Sequence, residues 1–459
     1  MLFSSITFIY YFLPLLLICY FLAPKKFRNL VLLIFSLIFY FLGEPKYIVV
    51  IILSCLMNYY FSKLIDKKIH PKLILILAII YNVGQLYVFK YTDFTIENIN
   101  NLFNLNIEYL RIIMPIGISF YTFQTMSYVI DVYNKKHPVA KNLLEFMTYV
   151  CLFPQLIAGP IVRYSDVRDA LTNRTESFEK FSEGIKRFVI GLSKKVLLAN
   201  VLGELVNNLV QKTVLSSWTK SIAYTLQIYF DFSGYSDMAI GLGLMFGFKF
   251  LENFNYPLIA SSITDFWRRW HISLSSWFKD YVYIPLGGNR KGKIKWLRNL
   301  LIVWMLTGFW HGASWNFIIW GLYFGIILII EKILLQKHLE KTKVIKYIYT
   351  SVIVIISFMI FNSLTTNEIL NNIKDMFFIS DIPFCNQETL YYFKNSMVLL
   401  IISVIGATPL IRNLINKIKQ TKLNMVVNIL EPVVYLILLT LTTAFLIDAS
   451  FNPFLYFRF

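Results

Sequence analysis

Apolar stretches of membrane-spanning length recur along most of this chain, and they constrain its fold more than any other feature. About 17–25 apolar residues are enough to cross the hydrocarbon core of a bilayer as a helix. Lipid offers the backbone no hydrogen-bond partners, so only helices and closed barrels cross it. Of the 459 residues, 57% are hydrophobic and 15% are charged. A water-soluble protein of that composition would expose too much apolar surface, so we predict an all-α polytopic membrane protein.

The apolar stretches are separated by short polar loops, and no internal repeat or low-complexity linker interrupts them. We predict about 11 transmembrane helices, together with several re-entrant or short helices. The stretch at 219–247 carries polar residues in its centre, so we expect it to be broken. The whole chain, 1–459, is predicted to form a single membrane-embedded domain. The expected helical stretches are 3–22, 29–43, 47–62, 72–90, 110–130, 143–160, 184–209, 219–247, 299–311, 315–334, 345–362, 391–409 and 426–447.

The formal net charge is +18, and the basic residues cluster in short loops between the apolar stretches. That distribution is the positive-inside pattern of a multi-pass protein of the cytoplasmic membrane, with added attraction to anionic lipid. Nucleic acid is therefore not the reason for the charge. Counting outward from the basic loops places both termini outside the cytoplasm, including the aromatic tail at 449–459.

The cysteines are scattered and form no C-x-x-C pair, so we predict neither a disulfide framework nor a zinc site. His271 and His311 would need a third ligand to hold a metal, and the sequence offers none. We therefore expect no bound metal. The four cysteines are Cys19, Cys55, Cys151 and Cys385.

His311 is an ionisable residue in an apolar setting. The run Leu300–Leu306 before it is almost wholly apolar, and the run Phe317–Ile330 after it contains no charge. Burying an ionisable ring at membrane depth is costly, so such a residue marks a candidate functional site. A neutral imidazole there is suited to act as a general base, a proton relay or a ligand.

The stretch 299–334 is flanked by the basic segments Lys279–Arg298 and Lys337–Lys346, so it must enter the membrane and return to the same face. His311 is reached after about 20 Å of helix rise, past the midplane of a core about 30 Å thick. The small residues within Gly308–Ser314 favour a break in the helix at that depth. Since irregular backbone inside a membrane lines a cavity or is buried in protein, we expect His311 at the floor of a cavity.

The segment Asp265–Asp280 is a second dense cluster, with three tryptophans, His271, Arg268 and Arg269. On one continuous helix its aromatic residues would share adjacent faces, which predicts an amphipathic helix that is interfacial or re-entrant. One interpretation is an interfacial anchor with snorkelling arginines, and the residues alone favour it. The other is a basic, aromatic mouth, including Trp267, that binds an anionic nucleotide-type donor.

Two carboxylates, Asp231 and Asp237, lie within the apolar run Tyr229–Met238, which also contains Tyr235. Carboxylates in such surroundings need partners, and we expect Arg268 and Arg269 to supply them. A structural ion pair is slightly favoured over a direct role in catalysis or donor binding.

The run Phe153–Tyr164 contains two prolines and a glycine that cannot continue a regular helix, so we expect the chain to break there. Arg163 follows the break. Snorkelling toward the interface is favoured for this arginine, and pairing with a phosphate is the alternative.

In this order along most of the chain, these segments resemble the membrane-bound O-acyltransferase (MBOAT) superfamily. The most similar branch is that of alginate O-acetyltransferase and its relatives acting on peptidoglycan, cellulose and teichoic acid. No single motif is decisive, but the ordered set is highly specific. The segments that carry the resemblance are Met114–Phe120, Ala158–Pro160, Asp231–Asp237, Asp265–Gly288 and Trp310–Gly312.

The resemblance implies an MBOAT fold around a central tunnel, with catalytic-core segments at 265–334. It implies that His311 is the catalytic histidine and that His271 is the family's second histidine. Trp310 and Asn316, beside His311, are candidates for donor binding or a structural role. It further implies a cytoplasmic entrance for an acyl thioester, with acetyl-CoA as a substrate rather than a bound cofactor, and an outer funnel for a polysaccharide acceptor. An extracytoplasmic SGNH-type esterase usually completes the transfer in such systems.

The segment Asn452–Phe459 resembles the aromatic C-terminal motif of these acyl-export systems. In that motif a tyrosine has been proposed to accept the acyl group and pass it on, and Tyr456 is the matching residue. An aromatic anchor at the membrane interface explains the same residues equally well.

Three functions remain open on the sequence. The leading one is an O-acetyltransferase for a cell-envelope or exported polysaccharide, with His311 as general base or as the residue that accepts the acyl group. The second is a teichoic acid D-alanyl transferase, although a C-terminal aromatic motif on the same chain argues for the acetyl branch. The third is a proton-coupled transporter, which predicts inverted repeats that the sequence does not show. No G-x-S-x-G motif supports a serine nucleophile.

Overall fold

The computed structural model describes residues 1–448 and Leu455, and within these the fold is entirely helical. The first helices are α1 Leu13–Leu22, α2 Arg28–Gly43, α3 Ile48–Asp66, α4 Pro71–Leu86, α5 Thr92–Phe103, α6 Ile118–Tyr133, α7 Leu143–Cys151, α8 Phe153–Leu156, α9 Tyr164–Asn173, α10 Phe178–Ser193, α11 Val201–Asn208 and α12 Val214–Met245. The later helices are α13 Ile263–Arg269, α14 Ile272–Phe278, α15 Lys293–His311, α16 Trp315–Ile330, α17 Gln336–Lys341, α18 Ile345–Asn362, α19 Thr366–Met376, α20 Gln387–Asn395, α21 Met397–Gly406, α22 Leu410–Lys419 and α23 Asn424–Asp448.

Within the described residues, six helical segments are long and apolar enough to span a bilayer, and α20 with α21 forms a seventh if this pair, bent by 48°, is one span. The chain is thus a multi-pass membrane protein, but the predicted count of about 11 crossings is not confirmed. Several expected spans instead contain helices that are too short or too polar. The six segments are Lys25–Gly43, Pro45–Asp66, Pro71–Phe103, Trp315–Lys341, Ile345–Asn362 and Asn424–Asp448.

The predicted break in the stretch at 219–247 was wrong, because α12 runs through it as one helix of 32 residues. A glycine within this stretch serves helix packing. A Cβ atom on Gly234 would lie 2.7 Å from the carbonyl oxygen of Gly191, so the glycine lets α12 approach α10 closely.

The contacts divide the chain into two compact units, Met1–Phe188 with Tyr235–Leu251, and Val189–Gly234 with the described part of Glu252–Phe459. The first unit has an aromatic core that includes Phe3, Phe8 and Phe153. The predicted break after Phe153 is confirmed, since α8 has only four residues and irregular backbone follows until α9.

The second unit contains the hairpin of α15 and α16, which is broken between Gly312 and Ser314 as predicted. The two helices touch backbone to backbone. A Cβ atom on Gly308 would lie 2.2 Å from the carbonyl oxygen of Phe317, and one on Gly321 would lie 2.3 Å from that of Trp304. Such small-residue contacts are typical of tightly packed helices in membranes.

The segment Asp265–Asp280 is not one continuous helix, so the expected shared faces do not form. It contains α13 and α14, separated at His271, whose φ of +43° lies in the left-handed region. At this break the backbone is hydrogen-bonded to the neighbouring irregular segment 253–255 instead of to its own helix. The Asn255 N–H donates to the carbonyl of Arg269 (2.9 Å), and the Ile272 N–H donates to that of Asn253 (3.0 Å).

Candidate active site

His311 is the last residue of α15, and its side chain is almost fully buried, with 3% of its surface exposed. Its Nδ1 lies 2.8 Å from the carbonyl oxygen of Thr307, one turn earlier on the same helix. A carbonyl oxygen only accepts, so Nδ1 carries the proton, and in the neutral ring the lone pair is on Nε2. The ring packs against Trp320 at 4.9 Å and Phe361 at 5.6 Å between centroids. Its own helix thus fixes which nitrogen can act as a base.

His271 has the same tautomer for a different reason. Its Nδ1 lies 3.2 Å from Oδ1 of Asn253, which also accepts hydrogen bonds from the backbone N–H and the hydroxyl of Ser273. An oxygen that already accepts these bonds orients the imidazole with Nδ1–H toward it and Nε2 away. The ring is fully buried, edge-on to Phe232 at 4.7 Å.

The two histidines share one aromatic partner, Trp310. Its ring centroid lies 5.0 Å from that of His311 and 6.2 Å from that of His271. Burial, reinforced by the nearby His311, holds the pKa of His271 well below its ordinary value of 6.5. His271 lies between α13 and α14, outside the spanning segments. It is therefore neutral at pH 7, as a ring that accepts a proton or a hydrogen bond must be.

The predicted partners of the two carboxylates were wrong. Asp231 pairs with Lys195 (Oδ1 to Nζ, 2.7 Å), and Asp237 pairs with Arg187 (Oδ1 to Nη2, 2.9 Å). Arg269 instead pairs with Asp265 on its own helix, at 2.9 Å. The expectation failed because sequence spacing does not say which helices meet, and closer cations were available on α10 and the helical turn after it.

Arg268 and Arg269 line a polar cavity of about 680 Å³ in the second unit. Two of the acidic groups at the cavity are engaged in bonds to neighbouring backbone or to Arg269. The cationic groups that remain are Arg268, Lys332 and Lys346, and they make the cavity suited to bind an anion. Its charged lining residues are Asp265, Arg268, Arg269, Glu331, Lys332, Glu340 and Lys346.

A second cavity, of about 170 Å³, is almost wholly apolar and includes Trp267 in its wall. It extends from Lys279 and Tyr283 to Thr307, whose carbonyl binds the His311 ring. Trp267 also packs against Trp304 at 4.5 Å between centroids. The cavity thus reaches within one helical turn of His311.

Glu331 is a functional candidate that the sequence analysis missed. It follows α16, is 2% exposed, and accepts hydrogen bonds from the N–H groups of Ile263 (2.7 Å) and Thr264 (3.0 Å) at the start of α13. The carboxylate also faces the positive end of that helix. It ties the His311 hairpin to the helix that leads into His271. The sequence signal that could have identified Glu331 is its position as the first charged residue after the apolar run Phe317–Ile330.

Asn253 and Lys195 were missed as well. A lysine within an expected span is a detectable signal, because intramembrane charges are rare. Asn253 carried no signal, since it lies in a polar connection and reaches His271 only through the tertiary fold.

The remaining predicted residues do not all come to this site. Asn316 donates a hydrogen bond to the carbonyl of Phe361 (3.3 Å), which contacts His311. Arg163, at the start of α9, belongs to the first unit, as do Tyr235 and Asp237. Tyr456 lies outside the described residues.

Several known proteins are similar in sequence to this chain, over 48–84% of its length. The family model of the membrane-bound O-acyltransferases matches residues 134–370. The probable alginate O-acetylase of Pseudomonas putida is 43% identical over 375 residues, covering 79% of this chain and 77% of that protein. The peptidoglycan O-acetyltransferase of Helicobacter pylori is 35% identical over 429 residues (84% and 81%). The teichoic acid D-alanyltransferase of Bacillus subtilis is 32% identical over 234 residues (48% and 59%).

Proposed function

The chain belongs to the membrane-bound O-acyltransferase family, and from that premise we propose that it transfers acetyl from a cytoplasmic thioester across the membrane, for O-acetylation of an exported or cell-envelope polysaccharide. The relatives named for alginate and peptidoglycan O-acetylation support the acetyl group and the class of acceptor. The observation that carries the mechanism is the hydrogen bond from His311 Nδ1 to its own helix, because it puts the ring proton on Nδ1 and the basic lone pair on Nε2.

In this mechanism His311 is the general base. Nε2 removes the proton from the acceptor hydroxyl as its oxygen attacks the thioester carbonyl carbon. The tetrahedral intermediate then collapses, the carbon–sulfur bond breaks, and the sulfur leaves as a thiol with the proton returned by His311. Because the proton of the attacking hydroxyl goes to His311, the Nε2 lone pair of His271 would accept a hydrogen bond from another donor group of the acceptor and so orient it. Nucleophilic attack by Nε2 of His311 is the alternative course, and it would leave an acyl-imidazole on the protein.

We assign the donor, acetyl-CoA, to the two cavities. The cationic groups of the larger cavity, including Arg268, would bind the nucleotide phosphates. The apolar cavity beside Trp267 would take the acyl-bearing arm toward His311. The orientation predicted by the basic loops puts the larger cavity on the cytoplasmic side, where acetyl-CoA is available.

Further transfer outside the cell needs a partner, and an SGNH-type esterase is the class we expect. Tyr456 remains a candidate acyl relay toward that partner. Replacing Tyr456 with Phe removes only the hydroxyl, so a loss of polysaccharide acetate with intact protein levels would support the relay. Unchanged acetate would assign the tyrosine to anchoring.

The deciding experiment is to replace His311 with Ala in cells and to measure polysaccharide-bound acetate and D-alanine separately. The expected result is loss of acetate alone. The matched control is His338→Ala, because His338 is an exposed histidine on α17. Loss of D-alanine alone would select the teichoic acid reaction, which the third relative catalyses. Loss of neither would overturn the enzymatic role of His311.

A further inference from the structure

The Asp231–Lys195 pair is buried more completely than any other ion pair described here, with 2% and 3% of the two side chains exposed. Both residues belong to the second unit, Asp231 on α12 and Lys195 in the helical turn Lys194–Asn200. A buried ion pair is weak evidence for stability, because desolvation offsets most of the attraction. A structural task of this pair would therefore be visible in its other contacts.

The second carboxylate oxygen of Asp231 shows what that task is. Oδ2 accepts a hydrogen bond of 2.9 Å from the backbone N–H of Leu455, which is 224 residues away and close to the C-terminus. Leu455 is 4% exposed. A backbone N–H buried away from water needs an acceptor, and bonds to a charged acceptor are stronger than neutral ones. One carboxylate thus binds both Lys195 and the backbone of Leu455.

This contact lies beside the histidine site. Phe232, the next residue after Asp231, packs its ring 4.7 Å from that of His271. Leu455 belongs to the same buried apolar cluster as Trp270, Trp320 and Phe361, the last two of which contact His311. Leu455 is therefore buried in the same apolar cluster as the rings that contact His311.

We propose that Asp231, held by Lys195, is the docking site for the chain's own backbone at Leu455, and that this docking supports the core around the two histidines. Asp231 acts as a positioning residue, through a hydrogen bond to the backbone rather than through substrate. Recognition of a backbone N–H does not depend on the side chain at 455. The effect on activity rests on the proposed acetyl transfer, but the docking itself does not.

The test compares two double variants that differ in one acceptor. Asp231→Asn with Lys195→Met removes the ion pair but keeps a side-chain oxygen for Leu455. Asp231→Leu with Lys195→Met removes the pair and the acceptor together. Neither leaves an unpaired buried charge, which is the change that usually unfolds such a site. Circular dichroism and size-exclusion chromatography of the full-length protein in detergent establish that both fold.

Docking is measured by carboxypeptidase digestion of the full-length protein, followed by intact mass spectrometry. In the wild type and the Asn variant, digestion is expected to stop before Leu455. In the Leu variant, cleavage past Leu455 is expected to be about tenfold faster, because a hydrogen bond to a buried carboxylate is lost. Asp237→Leu with Arg187→Met is the control, since it removes another ion pair on α12 and should not change protection of the C-terminus.

Polysaccharide acetate is measured on the same variants, and it should fall in the Leu variant and recover in the Asn variant. The docking proposal is overturned if wild-type protein is cleaved past Leu455 as quickly as heat-unfolded protein. The positioning role is overturned if the Leu variant exposes its C-terminus but acetylates like the wild type. If His311→Ala leaves acetate unchanged while the digestion pattern holds, the proposed function fails and the docking stands.

Discussion

The two histidines are held by opposite kinds of structure. His311 ends a helix of 19 residues and binds a carbonyl of that same helix. His271 occupies a left-handed position between two helices of seven residues each and binds an asparagine 18 residues earlier in the chain. One imidazole is oriented by local structure, and the other by tertiary contacts. The chemistry at His311 should therefore be robust to changes elsewhere, while that at His271 should depend on its surroundings.

The largest expected difference comes from removing each ring. His311→Ala should lower the acetyl-transfer rate by about 10²–10⁴-fold, the usual loss for a general base. His271→Gly should lower it by about tenfold, the worth of one orienting hydrogen bond. Glycine adopts the positive φ of this position without strain, so the loss of stability should come only from the space that the buried ring vacates. Rates on purified protein with a thioester donor, together with thermal unfolding, measure both. Equal losses would contradict the assignment of different roles.

The next largest effect is expected on stability, at the close contact between α15 and α16. Gly308→Ala would force a Cβ atom against the backbone of Phe317, so it should destabilise the protein by about 1–3 kcal/mol. Gly84→Ala on α4 is the matched control, because no atom lies within 4 Å of its added Cβ. Thermal unfolding in detergent compares them. A Gly308 variant as stable as the control would show that the hairpin is not tightly packed.

A smaller effect on the transfer rate is expected at Asn253, whose side chain binds the ring of His271. Asn253→Leu removes the acceptor that fixes the His271 tautomer, so it should lower the transfer rate several-fold, up to about tenfold. The same substitution should have no added effect in the His271→Gly background, since the ring is then absent. Additive losses in the double variant would mean that Asn253 acts elsewhere.

The smallest effect is a pH dependence of stability. Burial lowers the pKa of His271 in the folded protein, whereas the unfolded chain has the ordinary value of 6.5. The unfolded state therefore binds more protons below pH 6.5, and folding stability falls as the pH falls. Between pH 7 and pH 6 this residue should cost about 0.7 kcal/mol. Thermal unfolding of wild type and His271→Gly at the two pH values measures the difference, and parallel curves would contradict it.

The same contrast explains what could be predicted from the sequence. The breaks at Gly312–Ser314 and after Phe153 follow from glycine, proline and serine at those positions, so local rules predicted them. The all-helical membrane fold follows from the apolar stretches in the same way. His311 stood out because it is polar in an apolar run.

What the sequence did not predict depends on contacts between distant segments. The left-handed break at His271 is stabilised by hydrogen bonds to 253–255, and no residue type at His271 demands it. Asp231 and Asp237 pair with Lys195 and Arg187, and the sequence alone does not show that these helical segments are neighbours. The helix α12 runs unbroken through Gly234, which packs closely against Gly191 on α10. In each case tertiary structure overrode a reasonable local expectation.

The end of α15 at His311 has an electrostatic consequence. The aligned peptide groups of a helix place about half a negative charge at its C-terminus, and the His311 ring lies on that last turn. When Nε2 accepts a proton, the ring becomes an imidazolium beside this negative pole. The backbone thus stabilises the cation by up to about 2 kcal/mol in a partly buried site, in an interior that offers it little water. The helix that delivers the base also supplies its counter-charge, with no acidic side chain required.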